Sequence, residues 1–273
     1  RSIDAYYRTA RPYDTQSTTN TGDYRLITKG LSLRFGVPFT EADTVFFCVG
    51  VEQTTIESGI FLPDAYRDYA RDFGETSNTI PLTVGWARDT RDSALVPTRG
   101  RLQRFNTELG VAGDARYVKA NYQFQQYYPL SKQYTLAFNS ELGFGKGLGG
   151  RPYPVFKNFF GGGLGSVRGF EQGTLGPSSA VTGSTDTVNI GGNRSIALNA
   201  EFITPFPGAG NDRSLRMFGF VDVGNVFGEN DSRPNATDLR ASVGVGLSWI
   251  SPVGPLRFAI ANPIRKFTGD KIQ

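Results

Sequence analysis

Arg168 lies in the tetrapeptide Val167-Arg168-Gly169-Phe170, directly after the glycine-rich run Gly161-Gly162-Gly163-Leu164-Gly165-Ser166. A guanidinium stays charged at any pH a protein meets and presents five donors in a rigid fork, so in a confined loop it needs carboxylates around it. The chemistry this residue suggests is ionic fastening, not bond making. The chain has no histidine, and Cys48 is its only cysteine. Disulfides, zinc clusters, histidine general bases and Cys/His dyads fall away together, and Cys48 reads as a small space-filling residue. The glycines do not form a phosphate cradle either. Arg168 stands where the third glycine of G-x-G-x-x-G would follow Gly163 and Gly165, and the context is not βαβ. No catalytic residue, metal ligand or cofactor is expected.

The elements that must position Arg168 are strands. From Leu239 to Trp249, the apolar residues Leu239, Ala241, Val243, Val245, Leu247 and Trp249 alternate with Arg240, Ser242, Gly244, Gly246 and Ser248. The same two-residue period runs through Val45, Phe47, Val49 and Val51, with Cys48 on the polar face, and through Val118, Ala120, Tyr122 and Phe124 against Lys119, Asn121, Gln123 and Gln125. Charged and amide side chains on one face of many strands need water there, while the apolar face suits lipid, as in a transmembrane β-barrel. A mean hydropathy of −0.30 agrees with this, because a barrel strand is apolar only at alternate positions. No apolar window is long enough for a transmembrane helix. Tyr6, Tyr7, Tyr127, Tyr128 and Trp249 at strand ends are expected in the headgroup belts. The net charge of +4 is scattered over strand ends and loops, which argues against a nucleic-acid surface.

About eleven strand-like segments follow from this period, near residues 2 to 10, 24 to 36, 43 to 54, 78 to 89, 100 to 111, 116 to 128, 132 to 144, 193 to 204, 213 to 227, 238 to 250 and 254 to 263. Single-chain bacterial barrels have an even number of strands, and an open edge in lipid leaves backbone groups unpaired. Strands missing from one or both ends, and a mature or partial chain, are therefore expected. One connection, at about 145–192, is far longer than a usual turn, and loops of that length are generally functional or disordered.

Val167-Arg168-Gly169-Phe170 in a long loop before the last strands resembles the signature of the outer-membrane protein assembly and secretion barrels. The likeness extends to Pro154-Val155-Phe156-Lys157-Asn158-Phe159-Phe160, Glu201-Phe202-Ile203-Thr204-Pro205, Phe220-Val221-Asp222-Val223-Gly224, and Ser251-Pro252-Val253-Gly254. Asp89-Thr90-Arg91-Asp92 and Pro97-Thr98-Arg99-Gly100 are similar to an upstream turn of the family. The resemblance implies an all-β, antiparallel transmembrane barrel, with about 11 of an expected 16 strands in this chain. It implies a loop folded into the lumen, with Val167, Arg168, Gly169 and Phe170 as its locking motif and Glu201 and Asp222 as acidic partners on the wall. Residue parity independently puts Glu201 on the polar face with Ser195, Ala197 and Asn199. Asp222 fits less well, because Phe218 and Phe220 share its face.

Residues 1–273 would then be part of a C-terminal barrel domain, with the periplasmic POTRA domains, the first strands and the last strand lying outside them. The implied function is folding and inserting β-barrel proteins into the bacterial outer membrane by strand templating and local bilayer destabilisation, without ATP. Implied partners are unfolded outer-membrane proteins, accessory lipoproteins and periplasmic chaperones reached through the POTRA domains, and the lipid bilayer. A sibling barrel for two-partner secretion or autotransporter assembly and a passive porin-like channel are the alternatives. A soluble β-sandwich adhesin would need an outer face that water tolerates. An outer-membrane hydrolase is disfavoured by the lack of histidine.

Overall fold

Alternation along the sequence becomes alternation between two faces of one sheet. A computed structural model describes residues 1–10, 24–57, 59, 62–181, 187–208, 214–229, 231, 236–252 and 254–273. Seven strands precede the long connection: β1 (Ser2–Ala10), β2 (Arg25–Pro38), β3 (Asp43–Glu57), β4 (Thr76–Asp89), β5 (Gly100–Gly113), β6 (Tyr117–Pro129) and β7 (Thr135–Gly147). The connection holds a small hairpin, β8 (Ser178–Ala180) and β9 (Thr187–Asn189). Four strands follow: β10 (Arg194–Pro205), β11 (Leu215–Phe227), β12 (Arg240–Ser251) and β13 (Gly254–Arg265). All but β8 and β9 form an 11-stranded antiparallel meander in which β7 pairs directly with β10. Every segment read from the sequence is a strand of this sheet, with its ends displaced by a few residues. The sheet is open, because β1 and β13 are its two edges.

The outer face is apolar and uncovered. Val245 is 59% and Ile260 80% exposed, and Leu31, Val51, Phe105, Phe144 and Phe202 share the same outward parity. A continuous apolar face of this size is unstable in water and stable in hydrocarbon, so it is the lipid-facing surface of a transmembrane barrel wall. No helix among the described residues is long and apolar enough to cross a membrane.

Two of the five residues assigned to headgroup belts are elsewhere. Tyr7, Tyr128 and Trp249 are exposed on the outer side. Tyr6 points inward and donates its hydroxyl to Glu52, and Tyr127 shares the inward parity of Lys119 and Gln125. The period of two had already fixed this. A tyrosine beside another at a strand end must send one of the pair to the lumen.

Besides the small β8–β9 hairpin, one helix has no counterpart in the sequence reading. Helix α1 (Asp64–Phe73) interrupts the β3–β4 connection, starting after Pro63 and ending at Gly74, whose φ of 94° favours glycine. Tyr66, Tyr69, Ala70 and Phe73 recur at helical spacing and pack with Tyr24, Ile56 and Leu62, and with Val155, Phe156 and Ile190 of the long connection. Ten residues are too few to form a helix alone in water, so this one depends on its contact with the loop. That dependence is why strand patterning did not reveal it.

Candidate functional site

Each residue of Val167-Arg168-Gly169-Phe170 has a separate structural reason for its type. The chain doubles back through Gly162 and Gly163, with φ values of 100° and 81°, and the Gly163 amide donates to the carbonyls of Val167 and Phe170. Val167 and Phe170 are fully buried with Leu175. The valine needs a glycine opposite: a Cβ on Gly224 would stand 2.9 Å from Val167 Cγ2. Gly169 has a φ of 84°, and a side chain there would meet Ala261 of β13 at 3.0 Å, so both backbone and space call for glycine. The backbone at the tip also binds the segment after β13. The Glu171 amide donates to the Lys271 carbonyl at 3.0 Å, and the Gln273 amide donates to the Gly169 carbonyl at 3.2 Å.

The structure brings Arg168, Glu201 and Asp222 into direct contact. Arg168 Nε and Nη2 donate to the two oxygens of Asp222, each at 2.6 Å, and its backbone amide adds a third bond to Oδ2 at 3.0 Å. Nη1 reaches Glu201 Oε1 at 2.8 Å. Arg168 is 6% exposed and Asp222 is fully buried. Burial works against the arginine's charge, but hydrogen bonding and attraction from Asp222, then Glu201, outweigh it and hold the guanidinium above its ordinary value.

Several members of this cluster are not among the site residues expected from the sequence. Asn199 donates from Nδ2 both to Asp222 Oδ1, at 2.9 Å, and to the Ser166 carbonyl, at 2.8 Å, so wall and loop share one amide. Arg257 of β13 donates to Glu201 Oε2 at 2.5 Å, so two arginines balance two carboxylates. The guanidinium carbon of Arg168 stands 3.5 Å from the Phe220 ring centroid and 5.7 Å from that of Phe218. The aromatic neighbours that counted against Asp222 are thus the π faces that stack on its partner. Arg257 and Asn199 carry the right lumen parity and could have been nominated on that ground. Pairing the two phenylalanines with the arginine required the fold.

The two acids are not equivalent. Asp222 is fully buried and has Arg168 as its cationic partner, whereas Glu201 is partly exposed and shares a second arginine. Asp222→Ala is expected to destabilise loop seating by roughly 3–5 kcal/mol, as removal of one partner of a buried pair does. Glu201→Ala should cost less than half as much. Thermal loss of heat-modifiable electrophoretic mobility measures both, and equal shifts would refute the asymmetry.

An apolar outer face, a polar inner face and an arginine loop fastened within define a class: a transmembrane β-barrel wall with a loop folded onto its lumenal face. Residues 2–273 match the Omp85 superfamily domain, and the chain belongs to that family. It is 35% identical, over 94% of its length, to the outer membrane protein assembly factor BamA of Neisseria meningitidis serogroup B, of which the match covers 36%. It is 30% identical, over 89% of its length, to BamA of Nitratidesulfovibrio vulgaris, covering 30% of that protein. The chain therefore spans about a third of these curated relatives. The crystal structure of BamA from Haemophilus ducreyi lacking POTRA domains 1–3 superposes with a TM-score of 0.82 at 26% identity, covering 92% of this chain and 53% of the other.

Proposed function

We propose that this chain is the greater part of the barrel of an outer-membrane protein assembly factor, and that the protein containing it folds and inserts other β-barrels. The observation that carries this reading is the 35% identity to a named assembly factor, sustained over 94% of the chain. The rest of the barrel and the periplasmic POTRA domains belong to the remainder of the protein, which brings unfolded clients, chaperones and accessory lipoproteins to the wall. An incoming strand adds to a weakly paired edge by β-augmentation, in a locally thinned bilayer and without ATP. No bond is made or broken, so the protein is not an enzyme. Arg168, Glu201 and Asp222, with Val167, Gly169 and Phe170, act as a lock that keeps the loop seated.

The test is reconstitution of the full-length protein in phospholipid vesicles without nucleotide. A urea-unfolded outer-membrane barrel is expected to acquire heat-modifiable mobility faster than in empty vesicles. Equal rates overturn the reading. Steady ion conductance without client folding would make the protein a channel, and release of a secreted polypeptide across the vesicle wall would make it an exporter.

A further inference from the structure

The long loop holds a second, largely buried cation, eleven positions before Arg168 and against a different part of the wall. Lys157 ends a short 3-10 turn, Val155–Lys157, in the stem of the loop. Its ammonium lies 2.8 Å from Glu52 Oε1 on β3 and 2.8 Å from Glu108 Oε1 on β5. Tyrosines of other strands complete both carboxylates: Tyr6 of β1 donates across β2 to Glu52 Oε2 at 2.8 Å, and Tyr117 of the adjacent β6 donates to Glu108 Oε1 at 2.5 Å. The Lys157 carbonyl accepts from Lys119 Nζ and from the Tyr153 hydroxyl, both at 2.8 Å. The Lys119 ammonium also stands 4.5 Å from the Phe159 ring centroid. One ammonium thus bridges two carboxylates, while Lys119 holds the backbone of the same residue. Burial opposes the Lys157 charge, yet Glu108 and Glu52 more than compensate and hold its pKa above the ordinary value.

We infer that Lys157 is a positioning residue that ties the stem of the loop to the N-terminal half of the sheet, making the loop a strut across the lumen. Arg168 fastens the tip to β10 and β11, while Lys157 fastens the stem to β3 and β5. Strands β6 and β7 lie between these anchor points in the sheet, joined to their neighbours by ladder hydrogen bonds. Ladder bonds let a sheet flex, whereas two short ionic contacts on one continuous loop fix the distance between their anchor strands. The lock at Arg168 alone would set where the tip sits. The second anchor sets the curvature of the wall between β3 and β11.

Hydrogen exchange on the full-length protein in phospholipid vesicles tests this, because stem and tip peptides report separately. Lys157→Met leaves two carboxylates facing each other, and exchange across residues 153–160 is expected to rise roughly tenfold or more. Residues 163–171 should stay protected by Arg168. Lys157→Arg should retain stem protection, and Lys157→Glu combined with Glu108→Lys should recover part of it. Unchanged exchange in the stem overturns the inference, and so does a uniform rise over all strands, which would mean general destabilisation. If Lys157→Met does not assemble, Glu108→Gln provides the milder test, with the same two overturning outcomes. Exchange is read on the folded barrel without a client, so failure here leaves the assembly reading standing.

Discussion

Arg168→Glu is expected to lower the amount of heat-modifiable folded barrel severely and, with it, the cellular level of other outer-membrane barrels. The substitution places a third carboxylate beside Asp222 and Glu201 in a site that is almost closed to water. Loss of one buried pair costs roughly 3–5 kcal/mol, and like-charge repulsion adds to it. Such a sum is a large fraction of the net stability of most folds. The choice of compensating change follows from the geometry. Glu201→Arg would put a new cation beside Arg257 and leave Asp222 facing the new glutamate, so it should not restore folding. Asp222→Arg places the cation where the fork now binds and should restore part. Quantitative immunoblots of the barrel and of two outer-membrane porins would measure both pairs. Wild-type levels with the single reversal, or better rescue through Glu201 than through Asp222, would sink the lock.

Gly244→Val should unseat the same arginine without touching any charge. Phe220 on β11 lies opposite Gly244 on β12, and Phe218 lies opposite Gly246. A Cβ on Gly244 would stand 2.5 Å from Phe220 Cζ and 2.1 Å from the Ile260 carbonyl oxygen, so the ring must leave the guanidinium and the strands must part. Overpacking typically costs about 1–3 kcal/mol, and a desolvated cation–π contact about 2 kcal/mol. The expected result is a lower temperature for loss of the compact electrophoretic form, together with faster hydrogen exchange at residues 163–171. Adding Phe220→Leu should relieve the clash with the ring and leave both the Ile260 backbone contact and the cation–π deficit. A Gly244→Val barrel with the melting profile of the native one would show that the ring turns aside at no cost.

The run Leu239 to Trp249 shows why so much of the wall was legible beforehand. A period of two assigns every side chain to one face once a single member is placed, and lipid on one side with water on the other enforces that period across the sheet. Glu201 was therefore readable as a lumen acid. Asp222 was not, because parity placed it among phenylalanines, and two rings beside a carboxylate look like a contradiction until an arginine lies between them. Glu52, Glu108 and Lys157 were equally silent. Each is an ordinary charged residue in its own segment, and only closure of the long loop over β3 and β5 turns them into a cluster. Helix α1 escaped for a related reason, since its apolar stripe gains meaning from Val155, Phe156 and Ile190, far along the chain.

The sequence by itself determined the strands, their faces, the motif on the loop and the lack of any histidine-based chemistry, because these depend on local period and composition. Tertiary structure alone decided which carboxylate grips Arg168 with both oxygens, which rings stack on it, and where Lys157 is anchored. Those outcomes depend on where a loop of nearly fifty residues returns to the wall, and no local period encodes that distance.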